Sequence, residues 1–323
     1  MAEKMKLWRI YAPGDLRFEI ADIPTPGPDQ ALLKVELATT CGTDLKIYKR
    51  GHARMTFPDL FGHEVVGTVV AKGDQVTNVK LGDRVATAAL GAFAEYVVVP
   101  APMSTREMPV LPDGIPPEAA AMTEPFACAY HGTLESNIKI GDQVVVLGCG
   151  PIGLMFVRLA LMSGASVIAA DFIPSRLEIA RQVGAEHTVN FAQVDDPVQA
   201  VRSLTENGAG VDIAIEAVGL PKAWEQALYM IRRGGLVTFF GGCEKGATVT
   251  LDTEFIHYEE ARMQGVFNYH HPEHFHKAFK LIQRGALDPK IFVTDHAPLQ
   301  DTEKVFQRLA KGYEGVKIAI HPE

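Results

Sequence analysis

Cysteine, histidine and carboxylate side chains, the donors that hold divalent zinc, stand close together early in the chain. Cys41 opens the run Cys41, Gly42, Thr43, Asp44, and His63 lies between Gly62 and Glu64. Three protein donors with one coordination position left open make a catalytic rather than a structural zinc centre. Glu124, directly before Pro125, is a further candidate ligand. Taken singly, each residue also fits an ordinary role: a buried free cysteine, a core histidine bonded to a carboxylate, an acid at a helix start. A second run with chemical content is Gly148, Cys149, Gly150, Pro151, Ile152, Gly153. In it Gly148 permits a tight turn, Gly150 lets the backbone approach a pyrophosphate and Gly153 lets helix pack on strand. The N–H groups of the helix start then face the anion. Asp171 follows Gly153 by 18 positions, where a carboxylate accepts hydrogen bonds from the adenosine ribose. This favours NAD over NADP, because a 2′-phosphate would meet a like charge. Arg176 reads equally as a partner for such a phosphate and as a solvated helix residue.

The elements around these residues fall into two rhythms. Short apolar runs at 16–20, 31–37, 64–70, 84–88 and 93–99, separated by Gly, Pro and Asp, predict a small β-barrel that carries Cys41 and His63. From Asp142 strands and helices alternate, with strands expected at 144–147, 166–171, 187–190, 211–216, 236–240 and 263–267. Helix-length segments at 151–163, 175–183, 197–206 and 221–232 separate them. Six strands joined by helical crossovers predict an α/β fold with a doubly wound parallel Rossmann sheet. A helix near Pro272, a strand, a helix from Asp301 and a strand at 316–320 are expected to return to the first domain. The domains expected are therefore 1–126 with 272–323, and 127–271. His270, His271, His274 and His276 invite a metal reading, but Pro272 interrupts helical spacing and a solvated helix start is expected instead.

Length and composition set the outer bounds. The 323 residues are 47% hydrophobic and 22% charged, values of a globular chain with about two domains. The net charge of −8, without a run of basic residues, excludes a nucleic-acid or anionic-membrane footprint, so a small-molecule partner is expected. Residues 144–170 are apolar enough to suggest a membrane span, but strands buried on both faces give the same hydropathy. Residues 1–11 carry Glu3, Lys4, Lys6 and Arg9 and do not read as a secretion signal. The four cysteines, Cys41, Cys128, Cys149 and Cys243, form no Cys-x-x-Cys pair, which fits a reducing cytoplasm.

In order and spacing, Cys41 to Asp44, Gly62 to Glu64, Gly82 to Val85, Glu124 and Pro125, the glycine turn, Asp171 and Val316 to Ile318 resemble the zinc-dependent medium-chain alcohol and polyol dehydrogenase family. The likeness covers nearly the whole chain and is strongest to the sorbitol and threonine dehydrogenase branches. It implies a GroES-like catalytic domain beside the Rossmann domain, and oxidation of a secondary alcohol or polyol with NAD(H). By the same resemblance Cys41 and His63 hold one catalytic zinc, and Glu64 and Glu124 are direct or water-mediated ligands. Asp44 orients His63, Thr43 begins the proton relay, and Lys317 reaches the cofactor pyrophosphate. The relay histidine of liver-type enzymes, five positions after the cysteine, is Lys46 here. Val85 runs directly into Gly91, Ala92, Phe93 without the four-cysteine lobe of many relatives, so no structural zinc is expected. A homodimer or homotetramer is implied. The rival readings are a metal-free NADPH-dependent enone or quinone reductase of this fold and a non-catalytic nucleotide-binding regulator. With no arginine signalling carboxylate recognition, a neutral alcohol or polyol is expected over a hydroxy amino acid.

Overall fold

Alternating apolar residues Met5 and Leu7 bury one face of the first strand, β1 (Lys4–Ala12), and Gly14 in the left-handed region (φ 76°) turns it into its antiparallel partner β2 (Asp15–Asp22). The computed structural model describes residues 3–51 and 55–322; the beginning of the 1–11 stretch, Met1 and Ala2, lies outside them. The chain divides into two units, Met1–Pro125 with His271–Glu323, and Phe126–His270. β1 is an addition to the strands expected from sequence: Lys4, Lys6 and Arg9 interrupt its apolar run and mask the half-buried alternation.

In the first unit β3 (Ala31–Thr39), β4 (Asp59–Leu60), β5 (Glu64–Lys72), β6 (Arg84–Ala88) and β7 (Tyr96–Val99) complete the N-terminal set. β4 joins the β2-β1 pair. β3 pairs antiparallel with both β5 and β7, and β6 flanks β5. Trp8, Ile10, Leu33, Phe61 and Phe93 meet in the core, where Phe306 lies edge-on to Phe61 with ring centroids 4.8 Å apart.

In the second unit six strands, β8 (Gln143–Leu147), β9 (Ser166–Asp171), β10 (His187–Asn190), β11 (Val211–Glu216), β12 (Ile231–Phe239) and β13 (Arg262–Gly265), form a sheet of order β10-β9-β8-β11-β12-β13. Every pairing is parallel. Counted from β8, that order is 3-2-1-4-5-6, the doubly wound arrangement whose ligands bind beyond the carboxyl ends of the strands. Val144, Val145, Val146 and Leu147 are all fully buried, as a strand covered on both faces requires. Helices Pro151–Met162, Pro174–Val183, Pro197–Arg202 and Pro221–Met230 each begin with proline at the first turn, where its missing N–H breaks no hydrogen bond. Among the described residues no helix is long and apolar enough to cross a membrane.

The chain then returns to the first unit through helix Pro272–Gln283, β14 (Val293–Pro298), helix Thr302–Ala310 and β15 (Lys317–His321). β15 lies between β14 and β3, pairing Ala319 with Thr39. The last strand thereby reaches the end of β3 from which Cys41 emerges.

Candidate metal centre and dinucleotide cradle

Antiparallel register sets the last residue of β3, Thr39, opposite the first of β5, Glu64. Cys41 lies two residues beyond that pair as the N-cap of helix Gly42–Arg50, its sulfur accepting the Thr43 N–H at 3.4 Å. His63 lies one residue before β5, so two strand ends and one helix start converge. One ligating atom from each of Cys41, His63 and Glu64 falls within 4.8 Å of the others, and no other such cluster of three occurs among the described residues. The histidines at 270–276 therefore do not assemble a metal site there. Instead His276 Nε2 lies 2.6 Å from the Arg106 carbonyl and His271 occupies the N-cap position of helix Pro272–Gln283 without a side-chain capping bond.

Asp44, buried in the first turn of helix Gly42–Arg50, accepts the His63 Nδ1–H at 2.9 Å. This fixes the ring and makes Nε2 the nitrogen that could serve a metal ion. Burial opposes a charge on His63, yet Asp44 and Cys41 outweigh it and hold the imidazole pKa well above its usual value. The other Asp44 carboxylate oxygen is buried without a hydrogen-bond partner. An electrostatic environment this favourable to a positive charge, lined by sulfur, nitrogen and oxygen donors, fits a divalent zinc ion.

Glu64 is fully enclosed. Lys317 Nζ donates to its two carboxylate oxygens at 2.8 and 2.6 Å and to the Thr40 carbonyl at 2.8 Å, while Thr39 Oγ1 donates to the Oε2 atom. This corrects the expectation for Lys317. All three of its ammonium protons have acceptors inside the first unit and its side chain is fully buried, so it does not extend to a pyrophosphate. Burial opposes the ammonium charge, but Glu64, with help from Cys41 and Glu124, holds it above the usual lysine value. Glu124 is half-buried in the first turn of helix Thr123–Glu135 and stands outside the three-residue cluster. Thr43 is exposed at the mouth of its helix. Thr39 and Thr40 were not signalled by any motif; only the strand register places them.

In the second unit the three glycines of the 148–153 turn have separable roles. Gly148 has φ 92°, in the left-handed region. A Cβ on Gly153 would stand 1.7 Å from the Gly148 carbonyl oxygen, whereas a Cβ on Gly150 would meet nothing within 4 Å. Gly150 is also the N-cap of helix Pro151–Met162. Open space thus lies over a helix N-terminus whose first N–H groups lack intrahelical acceptors, the geometry that accepts a pyrophosphate. Asp171 closes β9, its carboxylate accepting the N–H of Cys149 at 2.7 Å and of Ile173 at 2.9 Å. Burial and the Asp171 charge push the Cys149 thiol pKa up against the pull of Arg176, making it an inert thiol next to the Arg176 guanidinium. Phe172, Val218, Leu220 and Phe267, all exposed, follow the carboxyl ends of β9, β11 and β13.

Comparison with known proteins accords with both halves. Residues 27–110 match the alcohol dehydrogenase GroES-like domain and residues 151–284 the zinc-binding dehydrogenase domain. The chain is 34% identical to an L-threonine 3-dehydrogenase of Bacillus velezensis over 92% of its own length and 93% of the relative's. It is 29% identical to a sorbitol dehydrogenase of Bacillus subtilis over 99% and 98%. Among solved structures, one from Sinorhizobium meliloti, described as a zinc-binding dehydrogenase bound to NADP, superposes with a TM-score of 0.91 at 30% identity, covering 99% of this chain and 100% of that one. The 2R,3R-butanediol dehydrogenase of Bacillus subtilis follows at 0.88 and 29%, covering 99% and 100%. Matched in both domains and along almost its whole length, the chain belongs to the zinc-dependent medium-chain alcohol and polyol dehydrogenase family.

Proposed function

We propose that this protein catalyses reversible oxidation of a secondary alcohol or polyol to the corresponding ketone, with one catalytic zinc ion and NAD as the hydride acceptor. The observation that carries the reading is the convergence of Cys41, His63 and Glu64 within 4.8 Å, in a chain that also contains a glycine cradle at the head of a 3-2-1-4-5-6 sheet. Relatives named for threonine, sorbitol and erythritol, molecules that share a hydroxyl on a secondary carbon, support the reaction class.

Zinc, when bound, supplies a Lewis acid that lowers the pKa of the substrate hydroxyl. In this reading Cys41 and His63 hold the ion and Asp44 keeps the His63 ring turned towards it. Lys317 and Thr39 hold the Glu64 carboxylate in place, and Glu64 and Glu124 would each serve the ion directly or through water. Thr43, exposed beside Cys41, takes up the substrate proton and hands it to solvent. Gly148, Gly150, Pro151, Ile152 and Gly153 cradle the pyrophosphate, and Arg176 stands beside the adenosine. The negative charge of Asp171 favours NAD, although the Sinorhizobium neighbour was solved with NADP. The assembly proposed is a homodimer or homotetramer, by family likeness, and the four free cysteines suit the reducing cytoplasm.

Zinc content per chain, measured on protein purified without chelator or added metal, tests the reading together with a substrate panel. About one zinc per chain is expected, lost in Cys41→Ala, with NAD-dependent turnover of sorbitol-like polyols or butanediol above that of threonine. Zinc-free protein that reduces an enone with NADPH would overturn it.

A further inference from the structure

Asn268 has left-handed backbone (φ 57°) and lies three residues beyond the end of β13. Three hydrogen bonds converge on it. His131 Nδ1–H donates to its carbonyl at 2.6 Å, while its side-chain oxygen accepts from Cys128 Sγ at 3.2 Å and from the Tyr269 N–H at 2.8 Å. Cys128 and His131 are three residues apart on helix Thr123–Glu135, so they present to one face of it. His131 is 4% exposed, and its ring packs on His270 with centroids 4.4 Å apart. Its Nε2 lies 3.7 Å from Glu135. Upstream, the Val266 N–H donates to the Phe239 carbonyl at 2.9 Å. The segment 266–270 is thus fixed at both ends, and between them Phe267 projects into solvent.

A left-handed non-glycine residue persists only where its surroundings determine it, and such positions cluster where a ligand is clamped. The segment continues from the carboxyl end of β13, in the half of the sheet formed by β11, β12 and β13. A dinucleotide laid across the switch point between β8 and β11 places one mononucleotide over each half. Asp171 assigns the adenosine to the β8-β9-β10 half, which leaves the nicotinamide riboside to the half that ends in Asn268.

We propose that His131 is a positioning residue for the nicotinamide end of the cofactor: by holding the Asn268 carbonyl it fixes segment 266–270, with Phe267 at its tip, against the nicotinamide riboside. The inference rests on the dinucleotide-binding reading above. The adenosine half does not depend on this segment.

Binding of NADH and of ADP-ribose, which lacks the nicotinamide, separates the two halves in isothermal titration on the full chain. His131→Leu removes the donor and is expected to weaken NADH about tenfold, one or two hydrogen bonds' worth, with ADP-ribose unchanged. His131→Asn, whose amide N–H₂ occupies the place of the Nδ1–H, restores NADH affinity. Cys128→Ala removes the second support by deleting a single sulfur atom and gives a smaller selective loss, which keeps the test available if His131→Leu fails to fold. NADH and ADP-ribose weakened in parallel would make His131 a merely structural residue and overturn the proposal, as would NADH affinity unchanged in all three variants. Unsubstituted protein that binds neither ligand would overturn the dinucleotide reading itself.

Discussion

Lys317 and Glu64, separated by 253 positions in sequence, form a fully buried ion pair directly beside Cys41 and His63, with Nζ 2.8 and 2.6 Å from the two carboxylate oxygens. Removing one member of a buried pair leaves an uncompensated charge, at a cost of about 3–5 kcal/mol, whereas replacing both by apolar groups is close to neutral. Lys317→Met should therefore lower the denaturant midpoint steeply, and Lys317→Met with Glu64→Leu should recover most of the loss. The Lys317 pKa lies above the unfolded value because Glu64 outweighs burial. Its contribution is therefore complete below about pH 10 and disappears as the pH climbs through the higher folded value. An alkaline unfolding curve that is steeper in the unsubstituted protein than in the double variant is the expected sign.

Asp44 holds His63 from behind, and its effect is expected in metal affinity. Partners that orient a metal-binding imidazole contribute about 10- to 100-fold in affinity. Asp44→Asn keeps the shape but removes the charge that stabilises a cation at this place. Competition with a chromophoric chelator should show zinc released at correspondingly lower chelator concentration, with circular dichroism unchanged.

What could be read from the sequence depended on whether the signal was local. The buried run of Val144 to Leu147 and the glycine turn behind it lie within ten residues of each other, and β8, β9, β10 and β11 appear within a residue of their expected bounds. β12 starts five residues earlier than expected, at Ile231, because Arg232 and Arg233 mask its beginning. The donor types at Cys41, His63 and Glu64 were legible, but their convergence required strand register. Lys317 was misread as a cofactor contact because nothing near it in sequence discloses that β15 inserts beside β3, placing its ammonium on Glu64. The grip of His131 on Asn268 spans 137 positions and is likewise a product of tertiary packing.

His296 and His321 form a second histidine relationship, on the neighbouring strands β14 and β15, with Nδ1 and Nε2 2.9 Å apart. One proton between the rings is a hydrogen bond; a second sets two cations head to head. Burial and the His296 charge lower the His321 pKa against the opposing influence of Glu118 and Glu36. With the folded value below the unfolded value of about 6.5, the native state binds fewer protons than the unfolded chain. The contribution of His321 to stability should therefore fall as the pH drops from about 6.5 through the lower folded value. His63, held above its usual value, contributes the opposite slope. The difference in urea midpoint between the unsubstituted protein and His321→Gln, followed from about pH 8 to pH 5, is therefore the measurement, and it should move against the unsubstituted protein as the pH falls.

The glycine turn allows folding and cofactor binding to be separated by a single methyl group. On Gly153 a Cβ would sit 1.7 Å from the Gly148 carbonyl oxygen, a backbone atom that cannot withdraw without opening the junction of β8 and helix Pro151–Met162. Gly153→Ala should accordingly lose both stability and NADH binding. On Gly150 the same methyl meets open space, and its φ of −71° is accessible to alanine. Gly150→Ala should therefore melt within about 0.5 kcal/mol of the unsubstituted protein, yet bind NADH at least tenfold more weakly, because the methyl takes the volume into which the pyrophosphate must come. Differential scanning calorimetry beside NADH fluorescence titration distinguishes the two cases. Equal NADH affinity in Gly150→Ala and the unsubstituted protein would mean that no phosphate approaches this turn, and the cradle would then be only a packing device between strand and helix.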